Sequence, residues 1–309
     1  MNRSIRIGTR QSELATWQAR QVAGLLEEHG YTSELVFVKS EGDFDLQTPL
    51  YEMGVQGIFT RSLDIALLNN NIDIAVHSMK DVPTQLPQGI QQVAVLKRAS
   101  WKDILVYRYD VSFMDHRYAP AVIATSSIRR RAQWLHHYPH HTLVNLRGNI
   151  NSRLAKVNES EWNGAIFAAA GVDRINLRPE NSLELDWMLP APAQGAIMVV
   201  SRTDDEYCQT ACDNLNDAAT ALCTKIERDF LRKLMGGCST PIAGLCEITN
   251  DKVVFKGNIL SVDGSMKSTV EKTCGLSVAA DLGVIAGDEI INNGGREILT
   301  GITPTHLKA

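Results

Sequence analysis

At 309 residues the chain is long enough for two or three domains, since domains usually run about 100 to 200 residues. Apolar residues make up 44% of it and charged residues 21%, as in ordinary globular proteins. The formal net charge of -4 excludes a general attraction to nucleic acid or anionic membranes, so any anion binding must come from local clustering.

The N-terminal sequence lacks the apolar run of a signal peptide, and no apolar stretch reaches about 18 residues, so we expect a cytoplasmic protein. Six cysteines in a chain of this length do not form a disulfide framework. They show no C-x-x-C pair and no zinc-like spacing, which favours reduced thiols. The cysteines are Cys208, Cys212, Cys223, Cys238, Cys246 and Cys274.

The first part of the chain alternates strand and helix patterns. Strands are predicted over 4–8, 35–38 and 72–76, and helices over 12–29 and 59–69. Ser12 is placed to cap the first helix and Gly30 to end it. This order predicts an α/β layer with a parallel sheet. Ligands of such sheets collect at the carboxyl ends of the strands, where His77 to Asp81 falls.

The stretch over 40–57 breaks this pattern. It contains Gly42, Pro49, Gly54 and Gly57 among mixed charges and has no period. A loop of that length in a compact domain is usually a lid or a disordered excursion.

A second unit of the same kind begins after about Ser100. Strands are predicted over 121–125, 143–145 and 165–169, and helices over 126–136 and 149–158. Because the two units share an architecture, we expect a cleft between them. Pro190 and Pro192 mark the exit, and a strand over 196–201 is expected to return to the first domain.

From about Ala218 the pattern becomes that of a small α+β domain. A helix to Leu234 is followed by strands over 253–260 and 268–272 and a closing helix over 278–292. The helix places Phe230, Leu231 and Leu234 toward the core and Arg228, Arg232 and Lys233 toward solvent. After Gly236 and Gly237, Cys238 follows on a turn, where nearby cations favour the thiolate. A small buried cysteine is the alternative.

Positive charge is concentrated in the second unit. No Asp or Glu occurs between Arg117 and Asn158. The basic residues there are Arg117, Arg129, Arg130, Arg131, Arg147, Arg153 and Lys156. In a net acidic protein this indicates an anionic partner, because guanidinium groups bind carboxylate or phosphate in a fork. A solvated helix face is one alternative. Nucleic acid stacked on Trp134 and Tyr138 is another, weakened by the acidic net charge.

Two further features concern chemistry. The run HHYPHH, with His136, His137, His140 and His141, has no acidic or cysteine ligand nearby, so we interpret it as a surface loop and predict no metal. Asp81 stands alone at a strand end beside Lys80 and before Pro83. Such a carboxylate suits a group that accepts hydrogen bonds from N–H donors and moves protons, with a helix cap or structural ion pair as the alternative.

Seven motifs in the same order resemble the porphobilinogen deaminase family, also called hydroxymethylbilane synthase. They cover nearly the whole chain and read IRIGTRQSELATWQA, DIAVHSMKDVP, ATSSIRRRAQ, LRGNINSRL, AAAGVDRI, LPAPAQGA and ERDFLRKLMGGCSTPIA. Several motifs in order are far more specific than any one alone.

The resemblance implies an α/β fold with two domains like type II periplasmic binding proteins around a cleft, plus a small C-terminal α+β domain that carries the cofactor cysteine. We place domain 1 at 1–98 and 196–216, domain 2 at 99–195 and domain 3 at 217–309.

It also implies a transferase of tetrapyrrole, porphyrin and haem biosynthesis. Such an enzyme joins four porphobilinogen molecules head to tail, releases ammonia, and forms hydroxymethylbilane on a dipyrromethane cofactor. By resemblance Cys238 holds that cofactor through a thioether. Each pyrrole ring bears an acetate and a propionate, so the growing chain brings many carboxylates to the arginine-rich cleft.

The resemblance further implies roles for single residues. Cofactor carboxylates are expected to bind Lys80, Ser127, Arg129, Arg130 and Arg153. Substrate or the growing chain is expected to face Arg10, Ser12, Arg147, Arg174 and Gln194. Asp81 is the expected catalytic residue and also contacts the cofactor at its pyrrole nitrogens. There a carboxylate stabilises the positive charge that develops when porphobilinogen loses ammonia, and it can carry a proton.

Three departures from the family pattern stand out. The lid motif G-G-K-G-[LI]-F reads Gly54-Val55-Gln56-Gly57-Ile58-Phe59 here, so the lid is expected to close differently or to bind acidic chains less strongly. Arg61 keeps the charge of a usual Lys, and Ala193 replaces a usual Gly. The lid change allows the alternative of a non-catalytic cleft protein that binds a polycarboxylate. No coiled-coil pattern or large apolar helix face is present, so we expect a monomer.

Overall fold

The computed structural model describes residues 3–39, 60–234 and 240–302. The predicted lid-like loop over 40–57, including Val55 and Gln56, and the turn with Gly236, Gly237 and Cys238 lie outside the described residues. No described helix has the length and apolar content that a membrane crossing requires.

The described elements follow the chain in this order. The strands are β1 (Ile5–Thr9), β2 (Ser33–Phe37), β3 (Ile74–Ser78), β4 (Ile90–Val95), β5 (Asp103–Tyr107), β6 (Val122–Ala124), β7 (Thr142–Val144), β8 (Gly164–Ala168), β9 (Ser182–Glu184), β10 (Ile197–Arg202), β11 (Ile242–Thr249), β12 (Lys252–Leu260) and β13 (Lys267–Gly275). The α-helices are α1 (Glu13–Glu28), α2 (Arg61–Leu68), α3 (Ile128–His137), α4 (Ile150–Glu159), α5 (Ala169–Arg174), α6 (Glu206–Asp213), α7 (Ala218–Lys233), α8 (Leu282–Ile290) and α9 (Arg296–Ile302).

The first sheet has the order β2-β1-β3-β10-β4. Strand β1 runs parallel to β2 and β3, whereas β10 runs antiparallel to both β3 and β4. The parallel arrangement predicted for β1, β2 and β3 is therefore confirmed, and β10, which arrives from the second unit, enters in the opposite direction. Buried apolar residues of α1, such as Val22 and Leu26, pack on one face of the sheet, and those of α2, such as Leu63 and Leu67, pack on the other.

The second sheet repeats this arrangement in the order β7-β6-β8-β5-β9. Strand β6 is parallel to β7 and β8, and β5 is antiparallel to β8 and β9. In each sheet the fourth strand is the one that arrives from the other unit, and it is the reversed one. Two connecting segments therefore join the units, one between β4 and β5 and the other between β9 and β10. The carboxyl ends of β1, β3, β6 and β8 point toward the cleft between the units.

The third unit is the antiparallel sheet β11-β12-β13 covered by α7 and α8. Phe230 of α7 and Phe255 of β12 meet edge to face in its core, with ring centroids 4.9 Å apart. The closing helix predicted over 278–292 corresponds to α8, which begins at Leu282 after a 3₁₀ turn, and a kink at Asn293 and Gly294 separates it from α9, which was not predicted. The expected fold class, two α/β units followed by a small α+β unit, is confirmed.

Helix α7 docks the third unit onto both connecting segments. Glu227 of α7 is 0% exposed and accepts hydrogen bonds from Arg98 Nη1 at 2.6 Å and from the backbone N–H of Ala193 at 2.6 Å. Arg228, expected to face solvent, is instead half-buried and donates to backbone carbonyls of the first unit. The helical pattern shows which face is polar, but it cannot show that another domain covers that face.

Candidate active site

A cavity of about 420 Å³ lies between the two α/β units, with part of its wall from the third unit. Ten of the residues predicted to bind cofactor or substrate are in its wall. They are Arg10, Ser12, Lys80, Asp81, Ser127, Arg129, Arg130, Arg147, Arg153 and Gln194. The cleft expected from two similar units is thus present, and the predicted residues from both units meet in it.

Three helices with side-chain caps begin at the cavity, and the sequence explains each start. Ser12 Oγ accepts a hydrogen bond from Ala15 N at 3.3 Å at the start of α1. Ser127 Oγ caps α3 in the same way, and Asn149 Oδ1 caps α4 with a bond from Ser152 N at 2.9 Å. Because a helix N-terminus carries partial positive charge, the three together make the cavity favourable for anions.

Lys80 and Asp81 lie on a single turn of 3₁₀-helix, Met79–Asp81, which directly follows β3. Burial lowers the pKa of the Lys80 ammonium from 10.5 to about 8, and the charge of Arg130 acts in the same direction. Lys80 Nζ donates to Gln194 Oε1 at 3.3 Å. Within the described residues it makes no ion pair, so its charge is available to an anion in the cavity.

Arg129 and Arg130 have an internal counter-ion that the sequence did not reveal. Asp103, the first residue of β5, is 0% exposed and accepts from Arg129 Nη1 at 2.7 Å and from Arg130 Nη2 at 2.7 Å. Burial alone would raise the pKa of the Asp103 carboxyl, but the two arginine charges outweigh it and hold that pKa well below its usual value. The stretch without acidic residues is therefore partly neutralised from another strand.

Gln194 connects this ion pair to Lys80. Its side-chain Nε2 donates to Asp103 Oδ1 at 2.9 Å and to the carbonyl of Trp101 at 2.8 Å, while its Oε1 accepts from Lys80. The amide is 0% exposed, and both of its ends are engaged. Gln194 thus lines the cavity but orients other groups there.

Two guanidinium nitrogens in the wall are buried without a hydrogen-bond partner in the described structure. They are Arg129 Nε and Arg153 Nε. A buried N–H without an acceptor is costly, so a ligand with acceptor oxygens is the natural partner for both. Burial also lowers the pKa of the Arg153 guanidinium to about 10, which leaves it cationic at neutral pH. The donor set fits the carboxylates of a dipyrromethane.

Three other basic residues of the arginine-rich stretch bind backbone carbonyls. Arg131 Nη1 donates to the Leu143 carbonyl at 3.2 Å, and Arg117 Nη2 donates to that of His136 at 3.0 Å. Lys156 Nζ donates to the Arg147 carbonyl at 3.1 Å. These contacts stabilise the second unit rather than the cavity.

Arg174 differs from the other predicted site residues, because it lies behind the wall. Its Nη2 donates to the carbonyl of Gly195 at 2.7 Å, and its guanidinium carbon lies 5.6 Å from the centre of the Trp17 ring. It joins α5 of the second unit to α1 and to a connecting segment.

The third unit contributes residues on both sides of Cys238 in the sequence. Leu231, Thr240 and Ile242 lie in the cavity wall. Cys238 itself lies outside the described residues. Leu231 belongs to the stripe predicted to face a core, whereas Phe230 and Leu234 are fully buried as expected.

The histidine run is only in part the predicted surface loop, because His137 and His140 are exposed whereas His141 is buried. His141 is buried, and its Nδ1 accepts from Trp134 Nε1 at 3.1 Å. His137 stacks on the Trp187 ring at 4.3 Å between centroids. Among the described residues no group of three or more His, Cys, Asp or Glu could hold a metal ion. Trp134 is 0% and Tyr138 5% exposed, so neither can stack on a nucleic-acid base.

Ala193, which replaces a glycine of the family motif, has a left-handed backbone with φ of 62°. It is fully buried in a connecting segment, directly before Gln194. Glycine adopts this conformation without cost, which explains the residue usual in the family.

Two family models match the chain. One, described as the dipyromethane cofactor binding domain of porphobilinogen deaminase, matches residues 5–210. The other, described as the C-terminal domain of porphobilinogen deaminase, matches residues 221–292. A curated relative from Syntrophomonas wolfei subsp. wolfei, named porphobilinogen deaminase, is 38% identical over 301 residues, which is 96% of this chain and 98% of that protein.

Solved structures show a more distant likeness. The L-cystine solute receptor of Neisseria gonorrhoeae is 12% identical, with 69% of this chain and 84% of the receptor covered and a TM-score of 0.41. An arginine-specific periplasmic binding protein of Salmonella typhimurium is 12% identical, with 71% and 94% covered and a TM-score of 0.40. At these scores the likeness supports no conclusion about ligand.

Proposed function

Because the chain belongs to the porphobilinogen deaminase family, we propose that it condenses porphobilinogen in the cavity between its two α/β units. Its activity is that of hydroxymethylbilane synthase. This transferase of porphyrin and haem biosynthesis joins four porphobilinogen molecules head to tail and releases ammonia, with dipyrromethane as its cofactor. The family matches cover both the cofactor-binding and the C-terminal domain, so a non-catalytic polycarboxylate-binding protein is not favoured.

The observation that best supports this location of the active site is the pair of buried, unpartnered nitrogens, Arg129 Nε and Arg153 Nε, in the cavity wall that also contains Asp81. Pyrrole acetates and propionates supply acceptor oxygens that a guanidinium binds strongly. Lys80, Ser127, Arg129, Arg130 and Arg153 hold the carboxylates of dipyrromethane in this proposal.

Cys238 anchors the cofactor through a thioether. This assignment is supported by the position of Leu231 and Thr240, which flank Cys238 in sequence and line the cavity. When bound, dipyrromethane supplies the pyrrole carbon to which the first substrate unit is joined. The cysteine is thus a permanent anchor and takes no part in turnover.

Asp81 is the catalytic residue and contacts the cofactor at its pyrrole nitrogens. Its carboxylate stabilises the positive charge that develops on the pyrrole when porphobilinogen loses ammonia, because a fixed negative charge in a cavity favours the charged transition state. It also accepts a proton as the new carbon–carbon bond forms and passes it on.

Substrate and the growing chain contact Arg10, Ser12, Arg147, Arg174 and Gln194. Arg10, Ser12 and Arg147 support this role by lining the cavity directly. Arg174 would have to exchange its bond to the Gly195 carbonyl to reach a ligand. Gln194 contributes through the orientation it gives Lys80.

The remaining parts of the proposal concern the whole molecule. We place domain 1 at 1–98 and 196–216, domain 2 at 99–195 and domain 3 at 217–309, and expect a cytoplasmic monomer that binds no nucleic acid. The burial of Trp134 and Tyr138 supports the last point, because it removes the proposed stacking surface.

Asp81→Asn tests the catalytic role. Asparagine keeps the shape but loses the charge, so the variant should retain its cofactor mass while turnover falls roughly 100-fold or more. Asp186→Asn, a change at a side chain that is 77% exposed, is the matched control and should turn over like the wild type. Product formation by Asp81→Asn at near the wild-type rate would end this assignment.

A further inference from the structure

The turn that carries Asp81 is held by an arginine from the third unit. Arg228 of α7 donates through Nη2 to the Pro83 carbonyl at 2.6 Å and through Nη1 to the Val82 carbonyl at 2.9 Å. A longer bond of 3.4 Å runs from Nη1 to the Met79 carbonyl. One guanidinium therefore binds carbonyls on both sides of Asp81 in the chain.

The Asp81 side chain has no such support of its own. Within the described residues its carboxylate accepts no hydrogen bond and makes no ion pair within 4.0 Å. Its position is set by the backbone of the Met79–Asp81 turn, which bonds on one side to the first unit through Met79 N and the Ala196 carbonyl at 3.0 Å. Arg228 supplies the support on the other side.

The environment makes Arg228 a rigid support. Burial lowers the pKa of its guanidinium to about 10, so it is still charged at neutral pH. A planar fork that donates several bonds loses little freedom for each bond it forms. The adjacent Glu227 fixes the same part of α7 to both connecting segments. The helix is thus well placed to hold the turn.

We propose that Arg228 is a positioning residue for Asp81, which ties the catalytic carboxylate to the helix that leads into the Cys238 turn. The inference rests on the proposed catalytic role of Asp81. Helix α7 precedes Cys238 in the sequence and binds the backbone next to Asp81 through Arg228.

Two substitutions at Arg228 and one matched control test this. Arg228→Gln removes the charge and the fork, and Arg228→Lys keeps the charge but cannot span three carbonyls. Arg232, one turn further along α7, bonds to Asp229 of its own helix and has a side chain that is 50% exposed, so Arg232→Gln is the control.

Turnover, KM and intact mass are measured for each variant, together with the melting midpoint. We expect kcat to fall roughly 10- to 100-fold in both Arg228 variants, because a small displacement of a catalytic group has an effect of this size. KM and the cofactor mass should remain near wild-type values. Arg232→Gln should leave all four quantities unchanged. If Arg228→Gln does not fold, Arg228→Lys carries the test.

A double variant separates positioning from general destabilisation. If Arg228 acts through Asp81, adding Arg228→Gln to Asp81→Asn should reduce kcat by less than about 3-fold further, since coupled residues are not additive. A full additional 10-fold or larger loss would overturn the inference, as would wild-type kcat in the folded Arg228 variants. Wild-type turnover by Asp81→Asn alone would instead refute the catalytic role proposed for Asp81.

Discussion

Replacing Asp103 by asparagine removes the charge that pairs with two buried arginines. Asp103 is 0% exposed and lies 2.7 Å from both Arg129 Nη1 and Arg130 Nη2. Asparagine keeps the shape and one acceptor oxygen, but it leaves two buried guanidinium groups without a counter-ion. Removal of one partner of a buried ion pair typically costs about 3 to 5 kcal/mol, and we expect the free energy of unfolding to fall by that amount.

Asp186→Asn provides the comparison at the surface. Its carboxylate lies 2.8 Å from Lys102 Nζ, almost the same distance, but the side chain is 77% exposed. Exposed pairs contribute much less to stability because water screens them. The difference in free energy of unfolding between Asp103→Asn and Asp186→Asn therefore measures how much burial strengthens the ion pair.

Urea unfolding at pH 7, followed by tryptophan fluorescence, measures both variants. Four of the five tryptophans, Trp101, Trp134, Trp162 and Trp187, belong to residues 99–195, so the fluorescence transition reports mainly on the second unit. The three units need not unfold together, and the comparison is made on this transition alone. If Asp103→Asn lowers the free energy of unfolding no more than Asp186→Asn does, the buried ion pair does not stabilise the second unit as proposed.

The pH dependence of this stabilisation follows from the direction in which the pKa of Asp103 is shifted. Its folded-state pKa lies below the unfolded value of about 3.9. The stabilisation is therefore fully present above the unfolded value and is lost as the pH falls through the folded one. The difference in free energy of unfolding between the wild type and Asp103→Asn should be constant from roughly pH 5 to 7 and should shrink only in strong acid.

Three further predictions concern the cavity and its connecting segments. Because burial lowers the pKa of the Lys80 ammonium to about 8, this group should lose its charge at lower pH than an ordinary lysine, so turnover should fall on the alkaline side and Lys80→Arg should move the fall to higher pH. Gly195→Ala should reduce stability by about 1 to 3 kcal/mol, since its φ is 86° and a Cβ would lie 2.7 Å from the Ser100 carbonyl oxygen. Ala193→Gly should change stability by less than about 1 kcal/mol, because relief of the left-handed backbone offsets the lost methyl group.

Each of these has a clear contrary result. An alkaline limb that is the same in wild type and Lys80→Arg would show that Lys80 does not limit turnover there. Equal melting midpoints for Gly195→Ala and wild type would show that the two connecting segments separate easily at Gly195. A loss above about 2 kcal/mol in Ala193→Gly would show that the methyl group packs more tightly than a single buried methyl usually does.

Local signals in the sequence were sufficient for the helices that face the cavity. Ser12, Ser127 and Asn149 each precede a helical pattern, and each caps its helix in the structure. Capping depends on a side chain and a backbone N–H three residues later, so a short window contains the whole interaction. The motifs that carry the family resemblance supplied the rest of the cavity residues.

Contacts between distant parts of the chain could not be predicted in this way. Asp103 and Arg130 are 27 positions apart, and their pairing depends on the place of β5 within its sheet. Arg228 faces away from the core of its own unit, and only the docking of the first unit buries it. Reversed strands such as β10 likewise look the same in sequence as parallel ones.

The central claim, a covalent dipyrromethane on Cys238 that serves as primer, is tested most directly by intact mass. Protein purified from cells that make porphobilinogen should be heavier than its sequence by a two-pyrrole adduct, and Cys238→Ser should have the mass of the sequence alone. Wild-type protein at its unmodified mass, or an adduct that persists in Cys238→Ser, would contradict the claim.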